Sequence, residues 1–338
     1  MPADPPRIAV CIGRLQPVQR RHVEMLSALV ERYDRVLIVC GGVSEPPSLI
    51  NPWTVEERRA MLALALPSTD RLALLPVADC WYDDARWAAA VRAAVVADCA
   101  THLPGRLAPE IDCYGLERQD AGAWSGYFDA WQARSCAATP FVDALPERLL
   151  GADPRAAMTA HLPAALADWL AASLATGPRP ALRAELDFTL SYRAAWGSAP
   201  FPPVFVTVDA LVTHAGRVLL VRRGHRPGLG LLALPGGFID VDEPLCVSAL
   251  RELREETGLT LTVADCSGVR VFDNPLRSLR GRTITHLHRF PLADGTPEPA
   301  VQAGDDAAEA LWLPFDALRP AQFFEDHYAM LQVELGLP

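Results

Sequence analysis

The sequence predicts an α/β protein of two domains, and three observations carry that prediction. Its 338 residues exceed what one hydrophobic core ordinarily serves. In the first half, short apolar runs alternate with helical stretches, the pattern of a parallel sheet covered by helices on both faces. After a proline-rich break, Ala199-Pro200-Phe201-Pro202-Pro203, the pattern becomes rich in strands. The expected boundaries are 1–180 for the first domain, 181–203 for a linker and 204–338 for the second domain.

The elements follow in order. Arg7–Ile12 reads as a buried strand, Gly13–Pro17 as a loop, and Val18–Arg32 as a helix. A second strand, Arg35–Cys40, ends at Gly41-Gly42. Helix Thr54–Leu64, strand Leu72–Val77, helix Asp84–Ala100 and strand Ile111–Tyr114 come next. Ligands of such sheets sit at the carboxyl ends of the strands, which makes Gly13–Pro17 a candidate site. Arg155–Leu174 reads as mostly helical, Ala175–Pro180 as a turn-rich break and Ala184–Trp196 as a connecting helix. In the second domain, strands Val204–Thr213 and Arg217–Arg223 form a hairpin at His214-Ala215-Gly216. Gly228–Gly237 leads into a helix over Pro244–Thr257. Thr260–Phe272, Thr283–Phe290 and Ala308–Leu313 read as strands, and Ala321–Leu335 as a last helix.

Composition narrows the function. Hydrophobic content of 50% and charged content of 21% are those of an ordinary soluble protein. There is no signal-peptide pattern and no apolar run of membrane-spanning length. Eight scattered cysteines with no Cys-x-x-Cys pair fit reduced thiols in a cytoplasmic protein and offer no zinc site. A net charge of −10 argues against non-specific nucleic-acid binding. A small anionic substrate would then need local arginines and metal ions.

The most informative stretch is GFIDVDEPLCVSALRELREETGL, Gly237–Leu259. On a helix ending at Gly258, Leu245, Ala249, Leu250 and Leu253 form an apolar stripe. Glu252, Glu255 and Glu256 stand at i, i+3 and i+4 and share another face. Three adjacent carboxylates repel, and a divalent oxygen-seeking cation, Mg²⁺ or Mn²⁺, would relieve the repulsion. A solvated acidic face is the ordinary explanation of such a cluster, but the fixed spacing around it argues otherwise. Gly237, Glu243, Arg251, Glu252, Leu253, Glu255, Glu256, Gly258 and Leu259 match the Nudix box without a mismatch. By average residue usage, a chance match in a chain this long is on the order of one in ten million.

The chain therefore resembles the Nudix hydrolases, which implies an α/β/α sandwich and hydrolysis of a nucleoside diphosphate linked to another group. The resemblance implies that Glu252, Glu255 and Glu256 hold the metal and that Arg251 orients a glutamate. It implies that Glu243 buttresses the loop or joins the metal shell, and that Gly237 lets the backbone pass close to metal or phosphate. The base is one of the glutamates or a loop carboxylate. Arg277, Arg280 and Arg282 are either a substrate-binding segment or a solvated basic loop.

GRLQPVQRRH, Gly13–His22, looks like the GRFQPFHxGH motif of nicotinamide mononucleotide adenylyltransferases, and NPWTVEER, Asn51–Arg58, like their NPWTxxER. Gly115–Trp131 is similar to a third motif. These imply a Rossmann-like nucleotidyltransferase-type fold and a nucleotide-binding site at Gly13, Arg14, Gln19 and His22. Gln19 stands where a histidine is expected and Arg21 where glycine is. Ser44–Ile50 supplies no basic residue, and Val142–Leu149 keeps Arg148 but lacks a Ser/Thr pair. Weak or absent adenylyl transfer is the expectation.

FVTVDALV at 205–212, GLGLLALPGGF at 228–238, VFDNPLRSLRGRTITH at 271–286 and FFEDH at 323–327 look like the Nudix half of bifunctional adenylyltransferase/Nudix proteins. In those proteins this half hydrolyses ADP-ribose. Leu232 replaces an expected Trp. The readings that remain are an ADP-ribose pyrophosphatase whose first domain is doubtful as a transferase, a truly bifunctional NAD-synthesising enzyme, a Nudix hydrolase of another nucleoside diphosphate derivative, and a non-catalytic ADP-ribose sensor. The partners expected are a nucleotide substrate, with ATP and nicotinamide mononucleotide for the first domain, and neither nucleic acid nor membrane. Homo-oligomerisation is left open.

Overall fold

The structure is a computed structural model that describes residues 4–67, 69–105, 107–116, 126–135, 145–151 and 154–337. It divides into two compact units, Met1–Leu186 and Asp187–Pro338.

The first unit is built on a five-stranded sheet in the order β3-β2-β1-β4-β5, every pair parallel. The strands are β1 Arg7–Gly13, β2 Arg35–Cys40, β3 Leu72–Pro76, β4 Glu110–Gly115 and β5 Gln132–Arg134. Successive side chains of β1 serve opposite faces. Ile8, Val10 and Ile12 pack with α3 (Asp84–His102), whereas Ala9 and Cys11 pack with α1 (Arg20–Arg32). The chain goes to one side of β1 for β2 and β3 and to the other for β4. The end of β1 at Gly13 is therefore the topological switch point.

Several boundaries differ from expectation. Helix α1 begins at Arg20, not Val18, because Gln19 is extended and caps it. The mostly helical stretch Arg155–Leu174 is interrupted at Pro163 and consists of α5 (Pro154–His161), a 3-10 turn and α6 (Ala167–Leu174). Strand β5 was not anticipated. Residues 117–125 of the third motif and residues 142–144 lie outside the described residues. Arg148 sits exposed on α4 (Leu145–Leu150). Helices α2 (Val55–Ala65) and α7 (Arg179–Ala195) complete the described helices that begin in this unit.

The second unit holds a seven-stranded mixed sheet. Its spine is β10 (Gly268–Phe272), β11 (Arg282–Pro291), β6 (Val204–His214), β7 (Arg217–Arg223) and β12 (Ala307–Pro314). The short strands β8 (Leu232–Ala233) and β9 (Gly236–Phe238) pair with β7 and β6. Only β11 and β6 run parallel among these pairs. Helix α8 (Leu245–Thr257) buries Ala249 and Leu253 in a core with Ala210, Val212, Leu219, Phe290 and Trp312. Gly258, at φ 71°, ends it in the left-handed cap the sequence predicts.

Two expected elements are shorter here. Thr260–Phe272 is a strand only from Gly268, and the final helix, α9, spans His327–Leu335. Phe323–Asp326 is instead a loop, pinned where Phe323 bridges Leu232. Leu232 is 1% exposed, so at this position the side chain packs inside rather than forming a surface. No helix among the described residues is long and apolar enough to cross a membrane.

Candidate functional site

Helix α8, strand β9 and the loops Arg277–Arg280, Asp305–Ala307 and Phe324–His327 enclose a cavity of about 300 Å³ in the second unit. Two glycines let β9 approach the sheet and helix. A Cβ on Gly236 would lie 2.2 Å from the Val208 carbonyl oxygen, and one on Gly237 would lie 2.6 Å from Glu252 Oε1.

The acidic face is organised by Arg251. Its Nη1 donates to Glu252 Oε1 at 2.8 Å and to Glu255 Oε2 at 3.2 Å, and its Nε donates to Glu243 Oε2 at 2.9 Å. Glu243 also accepts from Ser248 Oγ at 2.9 Å, which fixes the loop before the helix. Arg251 thus spreads one cation over three carboxylates. Glu256 is not among the carboxylates bonded to Arg251. It is 7% exposed and accepts from the Gly236 amide at 3.0 Å. Burial, with Glu252 and Asp209 nearby, pushes its pKa up to about 8 against the pull of that amide and Arg223.

This donor set tests the expected metal. Its oxygens are hard ligands suited to Mg²⁺ or Mn²⁺, and Glu256 retains a proton that a divalent cation would displace. Among the described residues, no group of three or more His, Cys, Asp or Glu side chains is already arranged around one point. The fit is therefore one of donor chemistry, with the carboxylates at present turned to Arg251 and Gly236.

The basic segment divides. Arg280 lines the cavity, its guanidinium 5.4 Å from the centre of the Phe238 ring. Arg277 also lines it but is 4% exposed and held by Asp326 in two 3.0 Å hydrogen bonds, so it ties two loops together. Arg282 is not among the lining residues; it donates to the Asp273 carbonyl.

The sequence reading did not single out Arg223, Asp209 or Glu325, all of which line the cavity. Arg223 lies 4.4 Å from the centre of the Phe324 ring and donates to the Pro227 carbonyl at 2.7 Å. Asp209 accepts from Thr285 Oγ1 at 2.5 Å and is pushed up to about 6 by burial. Glu325 has φ 45°, uncommon for a residue with a side chain, and burial raises its pKa. FFEDH offered a signal for Glu325, but an expected helix obscured it.

In the first unit, the expected residues cluster at the end of β1 and the start of α1. A Cβ on Gly13 would meet Leu116 Cβ at 2.7 Å, so packing alone accounts for this glycine. Arg14 Nη2 pairs with Asp79 Oδ2 at 2.9 Å. His22 is fully buried, with Nδ1 accepting from the Gln19 amide at 3.0 Å. Burial and Arg21 push its pKa down to about 3, so it is neutral at physiological pH. The NPWTVEER residues form scaffold. Gln16 brackets the Trp53 backbone at 2.8 and 3.0 Å, Thr54 and Glu57 form a capping box, and buried Arg58 donates to the Arg14, Gly41 and Gly42 carbonyls.

The NUDIX domain model matches residues 203–333. Over 127 residues the chain is 33% identical to the ADP-ribose pyrophosphatase of Methanocaldococcus jannaschii, covering 38% of this chain and 70% of that protein. The chain belongs to the Nudix family. It also shares the two-part architecture of a bifunctional NMN adenylyltransferase/ADP ribose pyrophosphatase from Francisella tularensis. That crystal structure matches at TM-score 0.85 and 28% identity over 98% of this chain and 99% of the other. A second structure of that protein, complexed with AMP and a Mn ion, matches at TM-score 0.84. A nicotinamide-nucleotide adenylyltransferase of Thermococcus onnurineus is 34% identical over 77 residues, 22% of this chain and 41% of that protein. The chain thus joins a Nudix domain to an NMN adenylyltransferase-like domain.

Proposed function

We propose that the second unit is a divalent-metal-dependent pyrophosphohydrolase that splits ADP-ribose into AMP and ribose 5-phosphate. The observation that carries this reading is one cavity lined by both carboxylates and guanidinium groups. The carboxylates of Glu252 and Glu256 on α8 line it together with the guanidinium groups of Arg223 and Arg280, while Glu255 reaches the site only through Arg251. A diphosphate needs both, cations for its non-bridging oxygens and a site where water is activated against phosphorus.

Glu252, Glu255 and Glu256 would hold Mg²⁺ or Mn²⁺, which supplies charge neutralisation and a more acidic bound water. Arg251 orients Glu252 and Glu255, and Glu243 orients Arg251. Arg280 and Arg223 are placed to meet phosphate oxygens, while Arg277 positions the Phe323–Asp326 loop through Asp326. Coupled carboxylates leave the base among Glu252, Glu255, Glu256 and Glu325. The choice of ADP-ribose is supported by the pyrophosphatase relatives and by VFDNPLRSLRGRTITH and FFEDH, since the box is common to the whole family. The free cysteines of the described residues suit a cytoplasmic setting.

The first unit in this reading binds a nucleotide and transfers adenylyl groups poorly. A substrate panel with Mg²⁺ or Mn²⁺, scoring AMP release from ADP-ribose, NADH, diadenosine polyphosphates and nucleoside triphosphates, tests the proposal. ADP-ribose ranking far below another compound would sink it.

A further inference from the structure

We propose that Arg21 is the phosphate-binding cation of the first unit, its guanidinium taking the phosphate chain of a nucleotide at the start of α1. Arg21 is 3% exposed, and its Nε and Nη1 are buried without a hydrogen-bond partner. It stands in the first turn of a 13-residue helix that carries no acidic residue in that turn. The helix dipole disfavours a cation there, and a buried charge lacking a partner is costly. Both penalties are relieved by an anion, which the amides of a helix N-terminus also attract. The fork of a guanidinium matches phosphate oxygens in particular.

The neighbouring groups do not supply that charge. Arg14 is paired with Asp79, Arg20 donates to the Leu162 and Thr159 carbonyls, Gln19 is neutral, and His22 is held neutral by burial. Arg21 occupies the position where the motif it resembles carries glycine. The charge that Gln19 cannot provide thus enters from two residues further along the chain. This inference concerns the first unit and stands apart from the hydrolase reading.

The test is calorimetric titration of the full-length protein in EDTA with inorganic tripolyphosphate and, separately, ATP. The wild type should bind both. Arg21→Met should weaken both by tenfold or more, and ADP-ribose hydrolysis by Arg21→Met should match the wild type. The ligand-free melting temperature of Arg21→Met should equal or exceed that of the wild type. Tighter binding of ATP assigns the site to a nucleotide, and equal binding to free polyphosphate. Unchanged or improved binding by Arg21→Met or Arg21→Gly would overturn the proposal, because the side chain would then be a plug. So would absence of wild-type binding at millimolar ligand. Should Arg21→Met fail to fold, Arg21→Gln serves in its place. A large fall in melting temperature for both would show a packing role and likewise overturn the proposal.

Discussion

The C-terminal half of α8 and the start of α1 solve opposite electrostatic problems. Around α8 an excess of carboxylates is shared by one arginine, Arg251, and Glu256 keeps a proton. Around α1 the buried guanidinium of Arg21 leaves two nitrogens without a hydrogen-bond partner, and of the motif's other two arginines Arg14 is paired with Asp79 and Arg20 donates to backbone carbonyls. The first arrangement calls for a cation and the second for an anion. The difference teaches that a motif reports chemistry only where its residues face a cavity. Much of NPWTVEER is committed to capping a helix and tying loops, so its presence speaks for the fold more than for transfer.

The widest contrast should appear in the reactions. Losing one preorganised donor costs ~10²–10³ in rate. With Gln19 in place of a histidine and no basic residue in Ser44–Ile50, transfer from ATP to nicotinamide mononucleotide should fall by about 10⁴ or more below a competent site. NAD formation with Mg²⁺ measures this. Robust turnover abolished by His22→Ala would erase the contrast between the units.

Within the hydrolase site, Glu256→Gln should lower kcat for ADP-ribose by about 10³ or more, since metal ligation contributes several kcal/mol. The metal-free variant should melt no lower than the wild type. A pH signature accompanies it. A carboxyl whose folded pKa is raised from 4.5 to about 8 stabilises the folded state fully below the lower value and loses that contribution as pH rises to the upper one. The melting temperature of the metal-free wild type should therefore fall between those limits, and Glu256→Gln should flatten the slope. An unaltered slope would remove Glu256 as its source.

Arg251→Ala should reduce kcat by roughly 10–100-fold, the usual range for a residue that orients metal ligands, with KM little changed. A large rise in KM at constant kcat would instead place Arg251 on the substrate. The smallest effect should come from the β6–β7 turn, where Ala215 has φ 45°. Ala215→Asn suits that conformation and should stabilise the protein by about 0.5 kcal/mol without altering turnover. Chemical denaturation would measure it.

The alternation of strands and helices made the first sheet legible, and the continuous apolar run of β1 is that of a strand buried on both faces. The box gave Glu252, Glu255, Glu256 and Arg251 because their spacing is local to one helix. Arg223 and Asp209 were not singled out because they converge on the cavity from β7 and β6, far apart in sequence from the box. Helical periodicity over Ala321–Leu335 hid the Phe323–Asp326 loop, whose shape depends on the Phe323 bridge to Leu232 and on the Arg277–Asp326 pair. Both are long-range contacts that no window of sequence contains. Arg277 and Arg282 read alike in sequence, yet one is a buried loop tie and the other faces Asp273.

The central claim is that the cavity of the second unit hydrolyses ADP-ribose by divalent-metal chemistry. Its most direct test is product analysis of the purified full-length protein with ADP-ribose, with and without Mg²⁺ or Mn²⁺. The account predicts equal amounts of AMP and ribose 5-phosphate, released only with the metal and lost in Glu256→Gln. Undiminished turnover in EDTA, or intact ADP-ribose beside rapid cleavage of another nucleotide, would contradict it.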